Sequence, residues 1–241
     1  MSLAAAKTAC RKHAAAVLAR VPRASLDEQA HAVCEAVQRL PAFQHAHNVS
    51  IYLSMPSGEL DTWALSRAAL TLGKRLYVPR FSTLSAGARA SEDHKFTTDM
   101  QMLRVHDVHE LDNGLTANKW GIAEPPPLRE GAAREDALLT GGAGLDLIIV
   151  PGMLFDTNGG RLGHGKGYYD RYIRRAHAFA QERKARVPYI VAVALREQIS
   201  AEPVPTGETD VPLDALVTAD QTWIFRGEEA QNAEENVGQA P

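Results

Sequence analysis

The chain has 241 residues, 45% apolar and 23% charged, with a formal net charge of −3. That apolar content supports a sizeable core, and the length favours one domain over two. The slightly acidic balance gives no electrostatic reason to expect nucleic acid or an anionic membrane as the main partner. Only two cysteines occur, Cys10 and Cys34, with no C-x-x-C pair. They suggest neither a disulfide framework nor a zinc site and fit a reducing compartment, and no apolar run approaches the roughly 18 residues that span a bilayer.

Residues 1–26 are rich in Ala and basic side chains, with no acid before Asp27. A mitochondrial transit peptide shares that composition. The favoured alternative is a first helix with Leu3, Ala6, Cys10, Val17 and Leu18 as its buried stripe. A second helix is expected from Leu26 to Leu40, with Ser25 and Glu28 in capping-box spacing and Pro41 past its end. Asn48 to Ser54 reads as a strand and Pro56-Ser57-Gly58 as a turn. Asp61 to Leu72 is an amphipathic helix offering Trp63, Leu65, Ala69 and Leu72 to a core, and Lys74 to Pro79 is the next strand. Strand, helix and strand at these lengths make a βαβ unit with a right-handed crossover in a parallel sheet.

Phe81 to Asp99 is polar and Gly/Ser-rich and reads as a loop, with Gln101 to His106 a short strand after it. The prolines of Trp120 to Pro127 exclude a helix there. Leu145 to Val150 (LDLIIV) is a near-continuous apolar run, the pattern of a strand buried on both faces. Tyr168 to Arg183 is a helix with Tyr169, Tyr172, Ile173, Ala176 and Phe179 on one side. Tyr189 to Leu195 is another central strand, and Ala215 to Thr218 and Thr222 to Phe225 are short final ones. From Gly227 the acidic tail is nearly free of apolar residues and is expected to be disordered. The expected fold is thus α/β: one three-layer α/β/α domain over residues 1–226 with a mostly parallel sheet, and a disordered tail over residues 227–241.

The chemistry concentrates in Pro151 to Asp170, PGMLFDTNGGRLGHGKGYYD. Gly159, Gly160, Gly163, Gly165 and Gly167 lie between a buried strand and a helix start. Glycines let backbone N–H groups approach a ligand, and the helix N-terminus favours an anion. Arg161 and Lys166 add two cations suited to phosphate. A nucleotide or a phosphorylated substrate fits such a loop; a flexible structural loop is the plain alternative. Two familiar motifs nearly match and fail. Gly160 to Lys166 satisfies G-x-x-x-x-G-K, but Gly167 stands where a P-loop needs Ser or Thr. Gly163, Gly165 and Gly167 give G-x-G-x-G, not the dinucleotide fingerprint.

FDTNGGRLGHGKGYYDRYI closely resembles the signature of the 5-formyltetrahydrofolate cyclo-ligase family, approximately F-D-x-x-G-x-R-L-G-x-G-x-G-Y-Y-D. REDALLTGGAGLDLIIVPG before it, ALREQISAEPVP after it and YLSMPSGELDT earlier resemble family segments in the same order, in the style of eukaryotic members. The match is weakest between Phe81 and Asn118, and the inserted loop and acidic tail depart from the pattern. The resemblance implies a fold like that of the sugar-phosphate isomerase and CoA-transferase group. It also implies an enzyme that uses ATP and Mg²⁺ to cyclise 5-formyltetrahydrofolate, which can be polyglutamylated.

By that resemblance, Arg161 and Lys166 act on the transferring phosphoryl group. Gly160, Leu162, Gly163, His164, Gly165, Gly167, Tyr168 and Tyr169 complete the nucleotide loop. His164 has a bland reading as loop surface, and Tyr169 as core. Lys7 and Arg11, four apart on one helical face, match nucleotide-contacting positions; the sequence alone reads them as a solvated basic face. Asp170 and Asp210 match metal ligands, with Asp214 less favoured. The alternatives are an Asp170–Arg174 pair and a loop-capping role for Asp210. Glu59 matches an acid for the pterin's donor edge and Trp120 an aromatic that packs on the folate; Met55, His164 and Tyr168 line the same pocket. His45, His47, His106 and His109 read as surface residues. The implied protein is a cytoplasmic monomer, with mitochondria the other candidate compartment. Its rivals are another phosphate-handling enzyme of the same fold group and a non-catalytic nucleotide or folate binder.

Overall fold

Apolar runs become the centre of a sheet, and their flanks become its edges. The computed structural model describes residues 1–55, 58–83, 98–139 and 141–227. Helices α1 (Leu3–Leu18), α2 (Arg23–Arg39) and α3 (Pro41–His45) precede strand β1 (Asn48–Ile51). Helix α4 (Trp63–Thr71), strands β2 (Arg75–Thr83) and β3 (Thr98–Val105) and helix α5 (Val108–Asn113) follow. Four two-residue strands, β4 (Thr116–Ala117), β5 (Ala123–Glu124), β6 (Leu128–Arg129) and β7 (Ala132–Ala133), form two small ribbons. Then come β8 (Leu147–Val150), the hairpin β9 (Leu154–Phe155) and β10 (Arg161–Leu162), and α6 (Tyr168–Glu182). Strand β11 (Tyr189–Val193), a 3₁₀ turn (Arg196–Gln198), β12 (Ala215–Val217) and β13 (Thr222–Ile224) complete the chain.

The main sheet has seven strands in the order β13-β12-β11-β8-β1-β2-β3. The five inner strands are parallel, and β13 and β3 pair antiparallel at the two edges. Strand β8 lies in the middle, between β1 and β11, with all four residues buried. That position explains its unbroken apolar sequence. From this centre the chain winds outward both ways: β1 to β2 through α4, and β8 to β11 through α6. Right-handed crossovers in opposite directions put α4 and α6 on opposite faces, giving three layers. The expected α/β class with a mainly parallel sheet is what the structure has.

Several boundaries differ from expectation. Helix α2 starts at Arg23 after Pro22, with no side-chain cap. Ser25 and Glu28 form no capping box: the Ser25 hydroxyl accepts from Gln29 at 3.0 Å, and Glu28 reaches Arg196 at 3.2 Å. Pro41 does not merely stop the helix; as an N-terminal proline it opens the short α3. Leu72 follows the end of α4 and is exposed, and Trp63 is only half-buried. In α1, Leu3 is exposed as well; the inward residues are Ala6, Lys7, Cys10, Arg11, Ala14, Val17 and Leu18.

The polar segment read as a loop from Phe81 is strand to Thr83, and strand resumes at Thr98. The register runs unbroken from Leu76 opposite Val105 to Thr83 opposite Thr98. A ladder with a partner outweighs poor local strand propensity. Pro56, Ser57, residues 84–97 and the tail from residue 228 lie outside the described residues, as do the expectations made for them. Cys10 and Cys34 are both free thiols.

Candidate active site

The direction of chain winding reverses between β8 and β1, and a cavity of about 840 Å³ opens just past the carboxyl ends of those strands. Tyr52, Leu53 and Met55 after β1 and Pro151 after β8 form its floor. Open α/β sheets place ligands at such a switch point.

The glycine-rich segment enters as a hairpin. Strands β9 and β10 pair through Arg161 opposite Phe155 and Leu162 opposite Leu154. Asp156 builds the turn between them. Its Oδ1 accepts N–H bonds from Asn158 at 2.8 Å and Gly160 at 2.9 Å, and its Oδ2 accepts from Val204 at 2.7 Å. A Cβ on Gly160 would lie 2.3 Å from that carboxylate. Gly160 therefore serves the turn. It does not line the cavity, whereas Leu162, Gly163, His164, Gly165, Lys166 and Gly167 all do. Gly165 takes φ +92°, and a Cβ there would meet the Arg11 guanidinium carbon at 3.0 Å. Gly167, at φ +62°, turns the chain into α6.

Cations and carboxylates meet at one end. Arg161 is almost fully buried and donates to Asp170 Oδ1 at 2.7 Å and to the Pro151 carbonyl at 3.3 Å; its Nε has no partner. Asp170, in the first turn of α6, pairs with Arg161 and not with Arg174, and also accepts the Val211 N–H at 3.1 Å. Arg174 instead donates to the Thr209 carbonyl at 2.7 Å. Helix α1 supplies two more cations. Lys7 bonds Asp210 Oδ2, which also accepts the Gly207 N–H at 2.6 Å, and Arg11 donates to the Gly163 carbonyl at 2.8 Å. The basic pair is thus turned inward onto the loop, against the reading from sequence alone of a solvated face. Lys166 is exposed at the cavity wall.

The other end is acidic and aromatic. Glu59 Oε2 accepts the Met55 N–H at 2.9 Å, and Oε1 lies 3.4 Å from His164 Nε2. Phe81 stacks edge-on to Trp120, with centroids 5.5 Å apart, and tilts against Tyr168 at 4.8 Å. The Tyr168 hydroxyl shares a 2.6 Å hydrogen bond with Thr98 Oγ1. Tyr169 is core and wall at once, and burial, reinforced by the Glu59 charge, pushes its phenol far above the ordinary range. Phe81 carries no signal of its own in the sequence, because it opens a polar, Gly/Ser-rich stretch. Asp156 is visible there as the acid of F-D-x-x-G.

Asp214 is structural: its Oδ2 accepts the Ile190 N–H at 2.8 Å, and its Oδ1 lies 3.0 Å from Arg226 Nε. His45 and His47 are exposed. His106 is not a bare surface residue; its Nδ1 lies 3.2 Å from Glu110, one turn on. No group of three or more potential metal-ligating side chains occurs among the described residues. Asp170 and Asp210 nevertheless fit an Mg²⁺ ion that is completed by phosphate oxygens and water. That ion needs few carboxylates, and in each of these the protein's hydrogen bonds fall on a single oxygen.

Fold and cavity together define a three-layer α/β protein with a glycine-rich, cation-bearing loop at its topological switch point. Residues 3–219 match the model of the 5-formyltetrahydrofolate cyclo-ligase family, so the chain belongs to that family. A Caenorhabditis elegans relative described as a probable 5-formyltetrahydrofolate cyclo-ligase is 34% identical, over 91% of this chain and 95% of its own. The Mus musculus 5-formyltetrahydrofolate cyclo-ligase is 35% identical, over 74% of this chain and 76% of its own. Among solved structures, the Aquifex aeolicus 5,10-methenyltetrahydrofolate synthetase superimposes with a TM-score of 0.65 at 26% identity, covering 92% of this chain and 93% of that one.

Proposed function

We propose that this protein converts 5-formyltetrahydrofolate and ATP into 5,10-methenyltetrahydrofolate, ADP and phosphate. The observation that carries the reading is the convergence, in one cavity, of a cationic glycine loop and an acid flanked by aromatic rings. One end suits a triphosphate and the other a flat pterin.

The chemical obstacle is the formyl oxygen, a poor leaving group. Attack of that oxygen on the γ-phosphorus expels ADP and leaves a phosphate ester on an iminium carbon. N10 then adds to that carbon and gives up its proton to water, and phosphate departs with the former formyl oxygen. Such a reaction needs alignment and charge stabilisation more than covalent help. Arg161, held by Asp170 and the Pro151 carbonyl, is preorganised to meet charge developing on the γ-phosphoryl oxygens, and Lys166 adds a second cation. Lys7, Arg11, Gly163, Gly165 and Gly167 hold the rest of the triphosphate. Asp170 and Asp210 would hold Mg²⁺, which when bound would supply neutralisation of phosphate charge. Glu59, fixed by the Met55 N–H, accepts from the pterin's donor edge, and Trp120 and Tyr168 pack on its ring system.

The protein acts as one cytoplasmic domain and a monomer, on monoglutamyl or polyglutamyl folate. None of its helices is long and apolar enough to cross a membrane among the described residues. Mixing protein, 5-formyltetrahydrofolate and MgATP should produce the ultraviolet absorbance of the methenyl product. Tight binding of both ligands without that absorbance would mark a non-catalytic binder and overturn the reading.

A further inference from the structure

Both carboxylates assigned to the metal are already bonded to cations assigned to the nucleotide. Asp210 Oδ2 holds Lys7, and Asp170 Oδ1 holds Arg161. None of these four side chains is more than a fifth exposed, so neither pair is a solvated surface bridge. Each ammonium or guanidinium stands on a carboxylate oxygen that a cation would otherwise be free to use. The Arg161 Nε is meanwhile buried without a partner, which leaves donor capacity unspent in the cavity wall.

Resting on the functional reading above, we propose that these pairs exchange partners when nucleotide enters. Lys7 and Arg161 turn to phosphate oxygens, and Asp210 and Asp170 are thereby released to the divalent cation. Neither ligand alone is well served. A free divalent cation that reaches the spare oxygen of each carboxylate must sit against a covalently tethered positive charge already paired with that group. A metal-free triphosphate must draw away the cations and leave two half-buried carboxylates unpaired, which is costly. Together, the two ligands satisfy all four side chains. Metal and nucleotide are therefore positively coupled through this chain's own residues, beyond their affinity for each other in solution, and the coupling is reciprocal. Lys7 acts here as a positioning residue that keeps the carboxylate site closed to bare metal.

The test reads metal binding, not turnover. Electron paramagnetic resonance titration of Mn²⁺ into nucleotide-free protein should find weak binding in the wild type. Lys7→Gln should tighten it about tenfold, within the usual range of site coupling. Lys7→Arg, which keeps the cation, should behave as the wild type, and Lys7→Gln combined with Asp210→Asn should lose the gain. Tight Mn²⁺ binding by nucleotide-free wild type overturns the exchange without recourse to any variant; so does an affinity that Lys7→Gln leaves unchanged. Calorimetry with a nonhydrolysable ATP analogue separates this from the parent reading. If Asp210→Asn and Asp170→Asn leave the Mg²⁺ dependence of analogue binding intact, the metal-site assignment itself fails, and the exchange fails with it. If they abolish that dependence while Lys7→Gln has no effect on bare Mn²⁺, only the exchange fails.

Discussion

Arg161 is the residue on which most of the site's geometry turns. It belongs to a strand, is nearly enclosed, and is kept at the cavity wall by an acid and a backbone carbonyl, within a short turn of where phosphate would lie. Preorganised charge of this kind is typically worth a factor of 10²–10³ in rate. Arg161→Lys keeps the charge but loses the two-pronged contact. It should therefore lower kcat by about a hundredfold in steady-state assays, with a smaller change in the KM for folate. Glu59 should behave in the opposite sense. Its carboxylate is held by the Met55 N–H at the pterin end, so Glu59→Gln should raise the KM for 5-formyltetrahydrofolate by about tenfold and spare the KM for ATP. Equal effects on both substrates would contradict the division of the cavity into two ends.

At the scale of elements, the β9–β10 hairpin is what presents Arg161 and the glycine loop, and Asp156 holds its turn through three backbone N–H groups. Gly160→Ala would drive a methyl group into that carboxylate, whose other bonds prevent it from yielding. Overpacking of this kind costs about 1–3 kcal/mol, and chemical denaturation should report a loss of that order. An unchanged midpoint would mean that the turn can rebuild. The hairpin was legible in sequence as a glycine-rich loop between strand and helix. Its internal pairing was not, because two-residue strands carry no periodicity. Helix α1 was legible as a helix, but periodicity alone assigned Lys7 and Arg11 to solvent. What turns them inward is two loops far along the chain: the Gly163 carbonyl accepts from Arg11, and Asp210 pairs with Lys7. Phe81 was hidden for a similar reason: its end of β2 is laddered to β3, where it stands opposite Met100.

For the molecule as a whole, sheet order explains why the site lies where it does. The runs LDLIIV and YIVAVAL announced central strands, but their order, and hence the reversal between β8 and β1, comes from long-range pairing that no local pattern encodes. His177 is one source of acid sensitivity in the fold. Burial, with a further contribution from the Arg226 charge, holds its imidazole below the ordinary value of 6.5. The unfolded chain therefore takes the proton first as pH falls. Stability is full above that value and declines as pH drops through it. His177→Gln should make the fall in melting temperature between pH 7 and pH 5 shallower, provided the variant's melt at pH 8 matches the wild type. A steeper fall would contradict the buried-histidine account.

The central claim is that one cavity aligns the formyl oxygen with the γ-phosphorus, and oxygen labelling tests it most directly. With ¹⁸O in the formyl group of 5-formyltetrahydrofolate, mass spectrometry of the released phosphate should find one labelled oxygen per turnover. Unlabelled phosphate, with the ¹⁸O recovered in water, would mean that ATP cleavage and ring closure are not joined through that oxygen.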